Sequence, residues 1–250
     1  MRNRPLILIS NDDGVYAQGI EVLTELMCTL GDVIVVAPNA ARSGAACSIT
    51  SSNPVRLTLV RESEGLKVYT CSGTPVDCVK LALEKVLTRE PDLVVSGINH
   101  GDNASVSIHY SGTIGAVLEA CMKGLPAIGF SLRTCQKECD FSPYKEVILR
   151  VTRYVLQYGL QKDVCLNVNF PQVAELQGVN VCRMAKGNWV QEWKNSEMAG
   201  EYFLTGYFVN LEPDAEDTDC WAIDHGMAAV TPLQLDATHY PSLAQIKEKL

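Results

Sequence analysis

The apolar positions first fall in an unbroken run, Leu6-Ile7-Leu8-Ile9, which stops at the polar string Ser10-Asn11-Asp12-Asp13-Gly14. A run without polar alternation, rich in Ile and closed by Gly, predicts a strand covered on both faces, as in a parallel sheet. The period then changes. Ile20, Leu23, Leu26, Met27 and Leu30 recur at helical spacing over residues 18–30, and Gly31 is a natural stop. Residues 32–37 read as a second apolar strand, broken at Pro38 into a loop with Arg42, Ser43 and Gly44. Residues 48–59, rich in Ser and Thr and interrupted by Pro54, predict extended edge structure, and residues 66–71 predict another strand. Gly73-Thr74-Pro75 opens a helix over 76–87, with Thr74 as N-cap and Pro75 in the first helical position. Residues 92–96 form a strand that runs into the polar loop Gly97-Ile98-Asn99-His100-Gly101-Asp102-Asn103. Tyr110-Ser111-Gly112-Thr113-Ile114-Gly115-Ala116 then enters a helix reaching about Lys123, and residues 126–132 return as a strand. Strand and helix alternate throughout this half, which predicts an α/β fold with a Rossmann-like, doubly wound, mostly parallel sheet. Such crossovers are right-handed, so the polar loops should gather along one edge.

The second half has a different texture. Residues 143–158 predict a long amphipathic helix, and residues 165–170, ended by Pro171, and 179–184 predict strands. Residues 201–211 carry a dense aromatic β signature, with Trp189, Trp193 and Trp221 nearby, as expected of a C-terminal β-rich extension or hairpin arm that buries against something. Filling a second core layer is the plainer reading of those aromatics. Glu212, Asp214, Glu216, Asp217 and Asp219 read as a solvated acidic loop. With no internal repeat or low-complexity linker, the chain reads as one α/β domain over 1–250. Its core would be about 1–185 plus 222–235, with an arm over about 186–221 and a tail over 236–250.

Composition narrows the classes. The chain has 250 residues, 47% of them apolar, which suits a sizeable core and excludes a disordered class. A formal charge of −8 without a basic block gives no footprint for duplex nucleic acid and favours small-molecule partners. The opening Met1-Arg2-Asn3-Arg4-Pro5 precedes an apolar run too short for a signal peptide, and no stretch is long enough to span a bilayer. A cytoplasmic protein with its ten cysteines reduced is expected. Cys135 and Cys139 lack a second half for a zinc site.

The chemistry concentrates at the strand ends. Ligands of open α/β sheets bind beyond the carboxyl ends of the strands, where Asp12 and Asp13 stand. Neighbouring carboxylates repel unless a hard cation lies between them, although Asp13-Gly14 also suits an ordinary turn. Hydroxyls and free amides at the helix start near Ser111-Gly112-Thr113 suit a phosphate, but are equally an ordinary cap.

Taken together and in order, the motifs resemble the SurE family of divalent-metal-dependent nucleotidases along nearly the whole chain. They are Asn11-Asp12-Asp13-Gly14, Val36-Ala37-Pro38 with Ser43-Gly44, Gly73-Thr74-Pro75 with Asp77-Cys78, and Ser96-Gly97-Ile98-Asn99 with Gly101 and Asn103. Tyr110-Ser111-Gly112-Thr113, Thr218-Asp219 with Ala222 and Gly226, and Thr231-Pro232-Leu233 complete the series. Ala104-Ser105 stands where family members often carry a Gly-rich continuation. The resemblance implies one divalent cation per subunit, Mg²⁺ or Mn²⁺, held by Asp12, Asp13, Ser43 and Asn99. It also implies phosphate contacts from Asn103, Ser111, Gly112 and Thr113, with Asn11 and Gly44 beside them, and Asp12 and Asp13 as the catalytic pair. The implied substrates are nucleoside 5′-monophosphates, with 3′-monophosphates and short polyphosphate as further ones, and the implied assembly is a homodimer or homotetramer through the arm.

Two carboxylates and two neutral oxygens make a hard, incomplete shell, with room for water and a phosphoryl oxygen. Either Asp could orient the water as general base. His100 and His109 are each a candidate general acid or simply a hydrogen-bonded loop residue. No Cys-x5-Arg loop supports a phosphocysteine route, and no Gly-x-Gly-x-x-Gly follows the first strand. A phospho-aspartate-forming domain and a non-catalytic nucleotide sensor are the rival readings.

Overall fold

A strand covered on both faces favours apolar residues on each, and the first apolar run divides accordingly: Ile7 and Ile9 enter one hydrophobic cluster and Leu8 another. The computed structural model describes residues 4–134, 136 and 138–250; Cys135, considered above with Cys139, lies outside them. In chain order the first half comprises β1 (Leu6–Ser10), α1 (Gln18–Cys28), β2 (Asp32–Pro38), β3 (Leu57–Ser63), β4 (Leu66–Cys71), α2 (Pro75–Leu81) and β5 (Leu93–His100), then α3 (Gly112–Met122) and β6 (Ala127–Leu132). The second half comprises α4 (Lys145–Tyr158), β7 (Val164–Phe170), β8 (Val179–Val181), the short strands β9 (Gly187–Val190), β10 (Trp193–Asn195), β11 (Tyr202–Leu204) and β12 (Tyr207–Asn210), then α5 (Asp219–Asp224), β13 (Ala228–Gln234) and α6 (Tyr240–Lys249).

Among the described residues, nine strands form the main sheet in the order β3-β4-β2-β1-β5-β6-β7-β13-β8. The run from β4 to β7 is parallel, while β3 and β13 enter antiparallel to their neighbours β4 and β7. This is the doubly wound, mostly parallel sheet that the alternating elements predict. Helices α1 and α4 cover one face through Ile20, Leu23, Met27, Ile148 and Val155, and α2 and α3 cover the other through Val79, Ile114 and Val117. From β1 the chain winds outward through β2 and β4, then returns to β5 on β1's other side. The β1–β5 junction is therefore the switch point, and ligands of open α/β sheets bind beyond the carboxyl ends of the strands at such a point.

Several boundaries differ from the sequence reading, each for a local reason. Residues 48–56 form no strand, and edge pairing begins only at Leu57, past Pro54. The fifth strand does not end at Ser96. It continues to His100 through a register shift between Ser96 and Asn99, an irregularity that re-aims Asn99 and His100. Gly97 makes this possible: its φ is +123°, and a Cβ there would lie 2.2 Å from the Phe130 carbonyl oxygen. Residues 201–211 are two strands with a break at Thr205-Gly206. β12 pairs with β9, and β11 with β10, so the arm is a single bent hairpin. Trp221 lies outside the arm, in α5, stacked on His225 at 3.9 Å. The expected tail carries α6, none of whose residues is buried. Among the described residues, no helix is long and apolar enough to cross a membrane.

Candidate active site

β1 ends in a turn that its own sequence closes. The Asn11 side chain donates to the Gly14 carbonyl at 2.9 Å and accepts the Gly14 N–H at 3.2 Å. Each end of that amide makes one bond within the turn, which supports Asp12 and Asp13. The Arg42 N–H donates to the Asp12 carbonyl at 2.7 Å, tying the loop after β2 to the acid pair. Ser43 and Gly44, the next two residues, are exposed, and a Cβ at Gly44 would meet nothing within 4 Å.

Asp12 is only 4% exposed. The Thr113 hydroxyl donates to its Oδ1, and Gly112 lies against it so closely that a Cβ there would sit 2.8 Å from the Asp12 Cβ. Burial pushes the Asp12 carboxyl up to about 6; the Thr113 hydroxyl opposes this shift and the Asp13 charge adds to it. Asp13 accepts the His100 N–H at 3.0 Å, and burial raises it too, against that hydrogen bond. Two adjoining carboxyls, both pushed above their ordinary range, form a site whose ionised state calls for positive charge.

The neutral donors stand on the neighbouring loops. Asn99 donates its amide to the Gly101 carbonyl at 2.7 Å, and among the described residues nothing donates to its Oδ1. The bulge in β5 therefore leaves an amide oxygen beside the strand that carries the acids. Among the described residues no three His, Cys, Asp or Glu side chains are grouped so as to hold a metal ion, so any cation here must rely on the two acids and neutral oxygens. Asp12, Asp13, Asn99 Oδ1 and the exposed Ser43 hydroxyl fit a hard, oxygen-seeking dication.

Beside the acids begins α3, eleven residues long. Its cap is Ser111, whose Oγ accepts the Ile114 N–H at 3.0 Å. With Thr113 held by Asp12, the first turn offers an anion backbone N–H groups and the positive end of the helix dipole. The loop after β2 packs onto the same turn, where the Ala46 N–H donates to the Tyr110 carbonyl at 3.2 Å.

Asn103, like Ser111 and Thr113, is buried. It is 5% exposed, and its side-chain amide donates to Ser131 Oγ at 2.8 Å. His100 and His109 are both exposed, His100 meeting Asp13 through its backbone only.

Two groups of residues escaped the sequence reading. Asp219, assigned above to a solvated acidic loop, is fully buried. Its carboxylate accepts the N–H groups of Ser105, Ala185 and Cys220, each at 2.8 Å. It thereby joins the loop after β5, the root of the arm and α5. Ser105 itself sits at φ +51°, where a Gly-rich continuation would be comfortable, and its hydroxyl donates to the Ala185 carbonyl at 2.7 Å. Of the same acidic run, Glu212 and Asp217 clamp the Arg183 guanidinium. The second missed group is Asn167 and Asn169 on β7, both fully buried. Polar residues two apart in an otherwise apolar strand, Leu166-Asn167-Val168-Asn169-Phe170, share one face, and that alternation was the available signal.

The family model for "Survival protein SurE" matches residues 7–191, a span that contains β1, the loop after β2, β5 and the start of α3. The chain belongs to the SurE family. A 5′-nucleotidase SurE of Phocaeicola vulgatus is 53% identical over 98% of this chain and 97% of its own, and one of Bacteroides fragilis is 47% identical over 98% and 97%. The crystal structure of the SurE protein from Aquifex aeolicus superposes with a TM-score of 0.83 at 34% identity, covering 98% of this chain and 99% of that one. The SurE match and the acid pair at the switch point thus fall on the same strands.

Proposed function

We propose that this SurE-family protein hydrolyses nucleoside 5′-monophosphates to nucleoside and phosphate, with a divalent cation, Mg²⁺ or Mn²⁺, held by Asp12, Asp13, Ser43 and Asn99. The observation that carries the reading is the bond from Thr113 to Asp12. It draws the paired acids and the first turn of α3 together, so that a cation position and an anion position adjoin. A bound cation of this kind supplies Lewis acidity toward a phosphoryl oxygen and lowers the pKa of a coordinated water.

The chain's own residues do the rest. The first turn of α3, from Ser111 to Thr113, receives the phosphate through backbone N–H groups, and Asn103 bounds it from the next loop. Asp12 or Asp13 orients the attacking water and accepts its proton, while the His100 N–H fixes one Asp13 oxygen. Water adds to phosphorus as the bond to the nucleoside oxygen breaks, and that oxygen leaves with the proton the acid took from the water, returned to it through solvent.

The arm is read as the surface through which copies of the chain pair as dimers or tetramers. Trp193 is 68% and Leu204 69% exposed, Tyr202 and Phe203 are exposed beside them, and a two-stranded hairpin is marginal alone in water. The functional test is a panel of phosphomonoesters, including 5′- and 3′-nucleotides and short polyphosphate, assayed with and without chelator. Release of phosphate from 5′-nucleotides, abolished by EDTA and restored by Mn²⁺ or Mg²⁺, is expected. Full activity in thoroughly demetallated protein would overturn the reading.

A further inference from the structure

The surroundings of Asn103 are more elaborate than a loop residue requires. Its backbone N–H donates to Asn169 Oδ1 at 2.7 Å, the Asn169 amide donates to Asn167 Oδ1 at 3.1 Å, and the Asn167 amide donates to the Asn103 carbonyl at 2.8 Å. These three bonds close a ring. A fourth runs from the Asn103 side-chain amide to Ser131 Oγ. Ser131, Asn167 and Asn169 are all at 0% exposure.

The register explains how the ring meets the site. Ser131 on β6 stands opposite Asn99 on β5 and opposite Asn169 on β7. One row across three strands therefore holds Asn99, a candidate cation ligand; Ser131, the acceptor of the Asn103 amide; and Asn169, one member of the ring. Two residues beyond Asn103, Asp219 anchors the Ser105 N–H. Asn103 itself and the residue two beyond it are thus both fixed to buried side chains.

Burying three polar side chains in a core is costly unless each is satisfied, and apolar residues would fill a β7 face more cheaply. What this arrangement gains is immobility at Asn103. Its N–H, its carbonyl and one amide proton all have fixed partners, and among the described residues the amide's second proton has none and is left for a ligand. We propose that Ser131, Asn167 and Asn169 are positioning residues for the hydrolysis, holding Asn103 so that its free amide proton meets the phosphate without reorganisation. The inference rests on the functional reading above and adds three residues to it. They act through Asn103 and touch no reacting atom.

The test uses Asn169→Ala, which opens the ring, and Ser131→Ala, which removes only the acceptor of the Asn103 amide and leaves the β7 side chains intact. For both, kcat, KM, inhibition by inorganic phosphate and the Mn²⁺-induced thermal shift are measured. Expected are a fall in kcat/KM of about 10- to 100-fold and weaker inhibition by phosphate. The Mn²⁺ shift should stay parental, because no ring side chain is a cation ligand. Parental kcat, KM and phosphate inhibition in Ser131→Ala would overturn the proposal, and this variant decides alone if Asn169→Ala does not fold. Should the parent itself lack nucleotidase activity, the functional reading fails separately. Calorimetric binding of inorganic phosphate to Mn²⁺-loaded parent and Ser131→Ala then still decides whether the ring positions Asn103: weaker binding by the variant supports it, and equal binding overturns it.

Discussion

At the carboxyl edge of the sheet, Asp12, Asn103, Thr113, Asn167, Asn169 and Asp219 are buried polar groups, each with named hydrogen-bond partners. In the arm, Trp193, Tyr202, Phe203 and Leu204 are apolar groups left in solvent. Each region violates the usual distribution in the opposite direction. Burying polar groups is costly and is kept where geometry must not vary; exposing apolar groups is costly and is kept where another surface covers them. On the proposed function the edge would serve chemistry within one chain and the arm contact between chains, and substitutions should separate the two.

The largest effect belongs at the edge. Asp13→Asn preserves shape and removes one charge, and nucleotidase activity should fall by several orders of magnitude in a metal-supplemented phosphate-release assay. Activity within tenfold of the parent would mean that the edge does not depend on that charge. Gly112→Ala comes next: the new methyl must displace Asp12 from Thr113, so kcat should drop on the order of 100-fold while the helix itself tolerates alanine. Unchanged kcat would show that the close approach is incidental.

A smaller effect is expected at Asp77, which closes the capping box of α2 and accepts the Thr50 N–H at 3.1 Å from the loop beside the site. Burial tends to raise this carboxyl, but hydrogen bonds from Thr50 and Thr74 outweigh it and hold it below its ordinary range. A depressed folded-state pKa gives stability that is present above the unfolded value, about 4, and is lost as pH falls through the folded value. Asp77→Asn should therefore cost about 1 kcal/mol at neutral pH and less in acid, read from denaturant melts across pH. A cost that does not shrink in acid would remove the ionised carboxylate from the account.

The smallest effect on the folded chain is expected in the arm. Replacing Tyr202 and Phe203 by Ser should shift the chain's own unfolding by no more than about 0.5 kcal/mol, since neither residue is buried in it. Light scattering should nevertheless show smaller assemblies. Parental assemblies would transfer the association surface elsewhere.

Legibility in the sequence divides along the same line. The apolar run before Asp12 and the helical spacing over residues 18–30 predict β1 and α1 because burial on a sheet face or a helix stripe imposes a period. The acid pair could be read because charged residues abruptly end an apolar strand. The asparagine ring could not, because Asn103 is 64 residues from Asn167, and only the fold makes them neighbours. Asp219 was misassigned for a related reason: four acids near it are exposed or paired at the surface, and composition does not show which carboxylate turns inward. The bulge that carries Asn99 depends on a close approach of Gly97 to β6, a tertiary contact with no local pattern.

The central claim is that Asp12 and Asp13 hold a dication beside the start of α3. Thermal melts of the parent and Asp13→Asn over a Mn²⁺ titration test it most directly, because a ligand bound only by the folded state raises stability by mass action. The account predicts a melting temperature that climbs with Mn²⁺ in the parent and barely moves in Asp13→Asn at the same concentrations. Equal shifts in the two proteins would contradict it and place the cation elsewhere.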